Sequence, residues 1–248
     1  MDFTTLFGAL AMAALLARGA VTGEISSAFL NWHGLGLVLG GTAAAILINT
    51  PGRYVLKAFK AMFSLIETSP YARPERATAA LVALAAQAQG RGSAALRDVD
   101  PRAAGGFLAH AAQIAREHND PAFVREVLEA DIDQAYDVEN ETANVFRSMG
   151  VLSPMFGLVG TLIGIVNVLK ELSNPELVGG AMAVAITSAF YGILLANVVC
   201  VPVAGKLRIR SLQALKTKTV VLEGVLLIMQ GAVPAVVETK LQAYGEGD

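Results

Sequence analysis

Two stretches of this sequence contain no Asp, Glu, Lys, Arg or His: residues 148–169 and 177–205. As helices rising about 1.5 Å per residue they span about 33 and 43 Å, against a hydrocarbon core of about 30 Å. Core helices of soluble proteins rarely stay free of charge over such lengths, so both stretches read as membrane spans. A third gap, residues 25–52, lacks acids, Lys and Arg. Its apolar centre is Gly34–Ile48, with Trp32 and His33 at one edge in the manner of interface anchors. The N-terminal apolar segment, Phe3–Ala17, is marginal alone, and residues 19–22 extend it. Asp2 stands where a signal peptide would carry positive charge, so the segment reads as a span.

The remaining composition agrees. Only 16% of residues are charged, against about a quarter in an average soluble domain. A net charge of −2 provides no basic field for nucleic acid. The single cysteine, Cys200, permits no disulfide within the chain. No alternating strand pattern suggests a β-barrel. The expected fold is therefore an all-α membrane protein with four transmembrane helices and a helical cytoplasmic domain.

Lys and Arg orient it. Eleven fall in residues 51–150 and six in 204–248, leaving only Arg18 and Lys170. Arg53, Lys57 and Lys60 follow the second span, Arg147 precedes the third, and Lys206, Arg208 and Arg210 follow the fourth. Positive charge at span ends marks the cytoplasmic side. Both termini are expected to be cytoplasmic. The expected segments are 1–50 with spans one and two, 51–147 as a cytoplasmic helical domain, 148–205 with spans three and four, and 206–248 as a helical tail.

Residues 51–150 read as helices. Pro51-Gly52 ends the second span. Val55, Leu56, Phe59, Met62, Phe63 and Ile66 form a helical stripe over Tyr54–Glu67. A helix from Pro74 is expected to stop at Gly90, and another to run from Asp100-Pro101 to Glu117. Asn119-Asp120-Pro121 caps a helix with Phe123, Val127, Leu128, Ile132, Ala135 and Tyr136 on one face. That helix is expected to continue past Phe146 into the third span. The acids from Glu126 to Glu141 lack the glycine and terminal Glu of a calcium loop and read as a solvated face. His33, His110 and His118 lack zinc-ligand spacing. No phosphate loop or nucleophile elbow is present, so the chain reads as no enzyme, without a catalytic residue, metal or cofactor.

The third and fourth spans carry the chemistry. At about 100° per residue, Pro154, Gly157, Gly160, Thr161 and Gly164 share a face, a groove of small residues with one hydroxyl. In the fourth span Ala181, Ala185, Ser188, Tyr191 and Gly192 share another. A proton or cation carrier inside a membrane is normally Asp, Glu or His, and none of the four spans contains one. Either the chain moves no ions, or a partner helix supplies the carboxylate.

The pattern resembles the MotA/PomA stator family of flagellar motors, within the MotA/TolQ/ExbB proton-channel superfamily. The resemblance rests on Val38-Leu-Gly-Gly-Thr42, on Phe146-Arg-Ser-Met-Gly150 through Gly164, on Tyr191-Gly-Ile-Leu-Leu-Ala-Asn197 with Pro202, and on Leu222 through Pro234. It implies a ring-forming homo-oligomer, a pentamer, around a MotB/PomB-like single-span partner that brings a membrane Asp. It also implies a FliG-like rotor protein at the cytoplasmic face, the bacterial inner membrane as location, and H⁺ or Na⁺ as the transported ion. By position, Pro154 and Pro202 match the family's functional prolines. Thr161, Thr187, Ser188 and Tyr191 fall on its ion path, and Gly157, Gly160, Gly164 and Gly192 are expected to pack around the partner.

Two positions depart from the family pattern. Adjacent threonines of sodium-type members are Ser188 and Ala189 here, preceded by Thr187. One hydroxyl fewer tilts the expected ion towards H⁺. Arg91 and Arg97 stand where acids are usual in the rotor-facing loop, so Arg91, Arg97 and Asp98 form an altered rotor contact. The alternative within the superfamily is a TolQ/ExbB-type unit energising an outer-membrane process. A plain membrane scaffold would need neither Thr161 nor Ser188.

Overall fold

The computed structural model describes residues 3–22, 29–65, 71 and 74–245. Among them the regular structure is entirely helical: α1 (Phe3–Val21), α2 (Trp32–Asn49), α3 (Gly52–Ser64), α4 (Pro74–Arg91), α5 (Phe107–Glu117), α6 (Pro121–Lys170), α7 (Pro175–Leu194), α8 (Val201–Met229) and α9 (Pro234–Gly245). Three described helical stretches are long and apolar enough to cross a membrane, lying in Trp32–Asn49, Pro121–Lys170 and Leu177–Met229. In α1 the apolar run is shorter, Leu10–Gly19. The chain divides into two compact units, residues 1–67 with 141–207, and 68–140 with 208–248.

In the first unit α2 starts at an Asn31 cap, whose side-chain oxygen accepts from the backbone N–H of His33 and Gly34. Gly34, Val38, Thr42 and Ile46 recur every four residues on its buried face. Below them, Ile46, Val55, Ala58, Leu65, Phe146, Ala204 and Leu207 form an apolar core. The stripe expected on α3 splits here. Val55 and Ala58 are buried with Met62 packed beside them, whereas Leu56 and Phe63 are 67% and 69% exposed. Ile66 lies outside the described residues. The core accepts Val and Ala at close quarters and leaves the larger residues on the neighbouring side.

The second unit has its own core, in which Leu81, Leu84, Leu108, Val124, Leu128, Val221, Val225 and Leu241 are buried. The tail therefore does not form a segment by itself. Its helix α8 buries Val220, Val221, Val225 and Leu226 with α4 and α5, because an apolar helix face needs a partner face. Likewise α3 belongs with the membrane-capable helices, and the compact units divide the chain at 67/68, 140/141 and 207/208.

Helix ends differ from expectation where glycines take left-handed backbone. Gly90 lies within α4, which ends at Arg91 before Gly92 with φ +59°. Helix α5 begins at Phe107, not at Pro101. Asp100 instead accepts from the Arg102 N–H, and Ala104, Gly105 and Gly106 have φ of 48°, 64° and 91°. A side chain on Gly105 would run into the Tyr71 ring, 2.6 Å away. The Asp120 cap behaves as expected, accepting from the Ala122 N–H at 2.9 Å. Over residues 121–140 of α6 the buried residues are Val124, Leu128 and Ile132. Phe123 is exposed against the His118 ring, its centroid at 4.6 Å.

Polar groups of this unit find local partners. Arg125 donates to both carboxylate oxygens of Glu223, at 2.7 and 3.1 Å, and to Glu129. Those hydrogen bonds raise its affinity for the proton further. His110 pairs with Asp131 at 2.8 Å. The ammonium of buried Lys218 sits 5.5 and 5.6 Å from the ring centroids of Tyr71 and Phe107. Burial, and then Glu139, push the Tyr71 phenol above its ordinary value. No cluster of three potential metal ligands occurs among the described residues.

Candidate ion-path site

Helices α6 and α7 meet along their small residues. A Cβ on Gly157 would lie 2.8 Å from the Ser188 carbonyl oxygen, one on Gly164 2.6 Å from Ala185 Cβ, and one on Gly192 3.0 Å from Pro154 Cα. A Cβ on Gly160 would run into Ser188 Cβ. Small residues allow this approach, which brings backbone against backbone. All four glycines were expected to pack around a partner helix. The structure places them inside the contact between two helices of one chain, where that surface is already filled.

Helix α2 closes a second side. A Cβ on Gly34 would lie 2.8 Å from Ser188 Oγ, and one on Gly41 would run into the Phe156 ring. Sequence reading missed these two glycines as packing positions, although for Gly34 the four-residue recurrence to Ile46 carried the signal. Thr42 and Ser153 were missed as well. Both are buried, and neither hydroxyl has a hydrogen-bond partner among the described residues.

The hydroxyls fall into two groups. Ser188 and Thr187 are 0% and 3% exposed and donate to the Val184 and Ala183 carbonyls, each at 2.7 Å. They are enclosed, because Gly160 and Gly34 crowd against them. Thr161 is only partly buried. Its single proton is shared between the carbonyls of Gly157, at 3.1 Å, and Ala185, at 3.0 Å. With the hydrogen directed at backbone, the Thr161 oxygen is left as an acceptor. Tyr191 also differs from expectation. Its hydroxyl donates to the Phe29 carbonyl and accepts from the Asn31 N–H, so it fastens the chain leading into α2.

Two prolines interrupt backbone bonding at this level. Pro154 lies inside α6 and offers no N–H to the preceding turn. Between α7 and α8 the backbone forms a π turn, Leu195–Cys200, and the Val201 N–H reaches Ala196, five residues back. Pro202 follows at once and cannot donate either. Wide turns and missing donors are common causes of kinks in long helices. In the other unit Arg91 and Asp98 form an exposed ion pair at 3.1 Å, beside exposed Arg97, across the 3₁₀ turn Gly92–Arg97.

The profile of the MotA/TolQ/ExbB proton channel family matches residues 101–219. The chemotaxis protein PomA of Vibrio alginolyticus is 30% identical, over 98% of this chain and 95% of that protein. This chain belongs to the MotA/TolQ/ExbB proton channel family. Its fold agrees with other solved members. The flagellar MotAB stator complex from Bacillus subtilis matches with a TM-score of 0.85 and 27% identity, over 98% of this chain and 96% of that one. The C. jejuni MotAB structure matches in fold with a TM-score of 0.86 over 100% and 97%, at 22% identity. Thr161 and Pro154 lie where α6 and α7 pack, and Pro202 lies at the start of α8.

Proposed function

We propose that this chain is the ring-forming stator subunit of an ion-driven rotary motor that powers flagellar motility. It works with a MotB/PomB-type single-span partner in the bacterial inner membrane. Helix α1 is the first of four spans, both termini are cytoplasmic, and five copies surround the partner helices. The observation that carries the reading is the polar inventory of α6 and α7. A partly open hydroxyl, Thr161, is joined to closely packed backbone, and residues 148–169 and 177–205 contain no acid. Full-length similarity to PomA and to the MotAB stator complex supports it.

The mechanism follows from Thr161. A partner carboxylic acid in hydrocarbon needs a polar neighbour in order to gain and lose a cation. Because the Thr161 proton is held by carbonyls, its oxygen receives a hydrogen bond from the protonated acid better than it donates to the ionised one. The site therefore favours the loaded state, and release coincides with movement of the partner away from this oxygen. Na⁺ would need several oxygens, as hard cations do. With Thr187 and Ser188 enclosed, H⁺ is the coupling ion. Arg91 is occupied by Asp98, so Arg97 is the cation that faces a FliG-like rotor.

The test is motility. Deletion of the gene should abolish swimming in soft agar, the intact gene should restore it, and speed should be unchanged when Na⁺ is replaced by K⁺. Unimpaired swimming of the deletion strain would remove the flagellar reading. Swimming that stops without Na⁺ would remove the proton assignment alone.

A further inference from the structure

Only Thr50 and Pro51 separate α3 from α2, so if α2 crosses the bilayer, α3 lies at its surface. At about 100° per residue its side chains sort into three sectors. Val55, Ala58 and Met62 face the core of their unit. Leu56, Phe59 and Phe63 form the adjacent sector and are exposed. Only Phe59 among them is tied back, edge-on to Phe146 with centroids 5.8 Å apart. Arg53, Lys57 and Lys60 form the sector beyond, also exposed. The helix contains no Asp or Glu. Among the described residues none of these three cations has a carboxylate partner. The Arg53 guanidinium rests on the neutral ring of Tyr54, 4.8 Å from its centroid.

An apolar sector flanked by unneutralised cations suits a bilayer interface, where acyl chains meet phosphates. A protein partner matching both sectors would have to be apolar and acidic at once. We propose that α3 is a selective docking site for anionic phospholipid, with Leu56 and Phe63 entering the acyl boundary and Arg53, Lys57 and Lys60 holding headgroup phosphates. The proposal rests on insertion of α2 and not on the stator reading, so it stands or falls separately from motility.

The test uses the full-length protein in vesicles of equimolar phosphatidylcholine and phosphatidylglycerol. Phe63→Trp in a Trp32→Phe background supplies one reporter, and bromine is placed on the acyl chains of either lipid in turn. Brominated phosphatidylglycerol should quench at least about twofold more strongly than brominated phosphatidylcholine, and removal of any one cation should lower that ratio. The preference should fade as salt rises above about 0.15 M. The triple variant Arg53→Gln, Lys57→Gln, Lys60→Gln should equalise the two lipids while leaving helicity and quenching by phosphatidylcholine intact. Equal quenching in the parent protein would overturn the proposal. So would absence of quenching by either lipid, which would show that protein, such as a second copy, covers this face.

Discussion

Gly160→Val is expected to abolish motility while the protein is still made. The added Cβ has no room, because it collides with Ser188 Cβ, itself fully buried between α6, α7 and α2. Overpacking of this kind costs about 1–3 kcal/mol where neighbours can shift. Here part of the obstruction is backbone: the neighbouring Gly157 position faces the Ser188 carbonyl and Ala189 Cα. Helices forced apart would break the Thr161 bond to Ala185. Swimming in a complementation assay should fall at least about tenfold, with a lower melting temperature of the purified protein, as follows from a loss of that size. Gly205→Ala is the matched control. Nothing lies within 4 Å of its added Cβ, so swimming and melting should stay close to the parent. If Gly160→Val swims normally, the close approach of α6 and α7 is not required for function.

Thr161→Val is expected to remove ion flux with little effect on folding. Valine keeps the shape and loses the oxygen, so the partner's protonated acid would face a methyl group in hydrocarbon. Losing a buried hydrogen-bond partner costs about 1–3 kcal/mol, which is roughly a tenfold to hundredfold drop in occupancy of the loaded state. Thr161→Ser retains the oxygen and should keep most of the flux. The pair separates chemistry from packing. Torque falling equally in both variants would mean that the methyl group, not the hydroxyl, is what the site uses.

Helix existence was legible in the sequence because charge cannot be hidden in hydrocarbon. The gaps at 148–169 and 177–205 mark parts of α6 and α7, and Asp120-Pro121 marks the start of a 50-residue helix that does run on past Phe146. Periodicity was less informative where three sectors share one helix. On α3 it could not tell Val55, which is buried, from Leu56, which is not. The turn before α5 was misread because Asp100-Pro101 has the chemistry of a helix start, while Gly105 and Gly106 fix a left-handed break afterwards. The site was half legible. Thr161 stood out as a lone hydroxyl among glycines. That Ser188 and Thr187 would be sealed depended on Gly34 of α2, more than 150 positions away in the chain, and on Gly160. Likewise, nothing near Tyr191 announces its bonds to Phe29 and Asn31.

The requirement for a second protein is best measured as ion flux in proteoliposomes. Vesicles with this chain alone, with the chain and its single-span partner, and with a partner whose membrane Asp is changed to Asn are compared under one imposed pH gradient. Proton uptake is expected only for the chain with the intact partner, at background level in the other two. Conduction by this chain alone, or undiminished conduction with the Asn partner, would contradict a path that depends on a carboxylate brought from outside the chain.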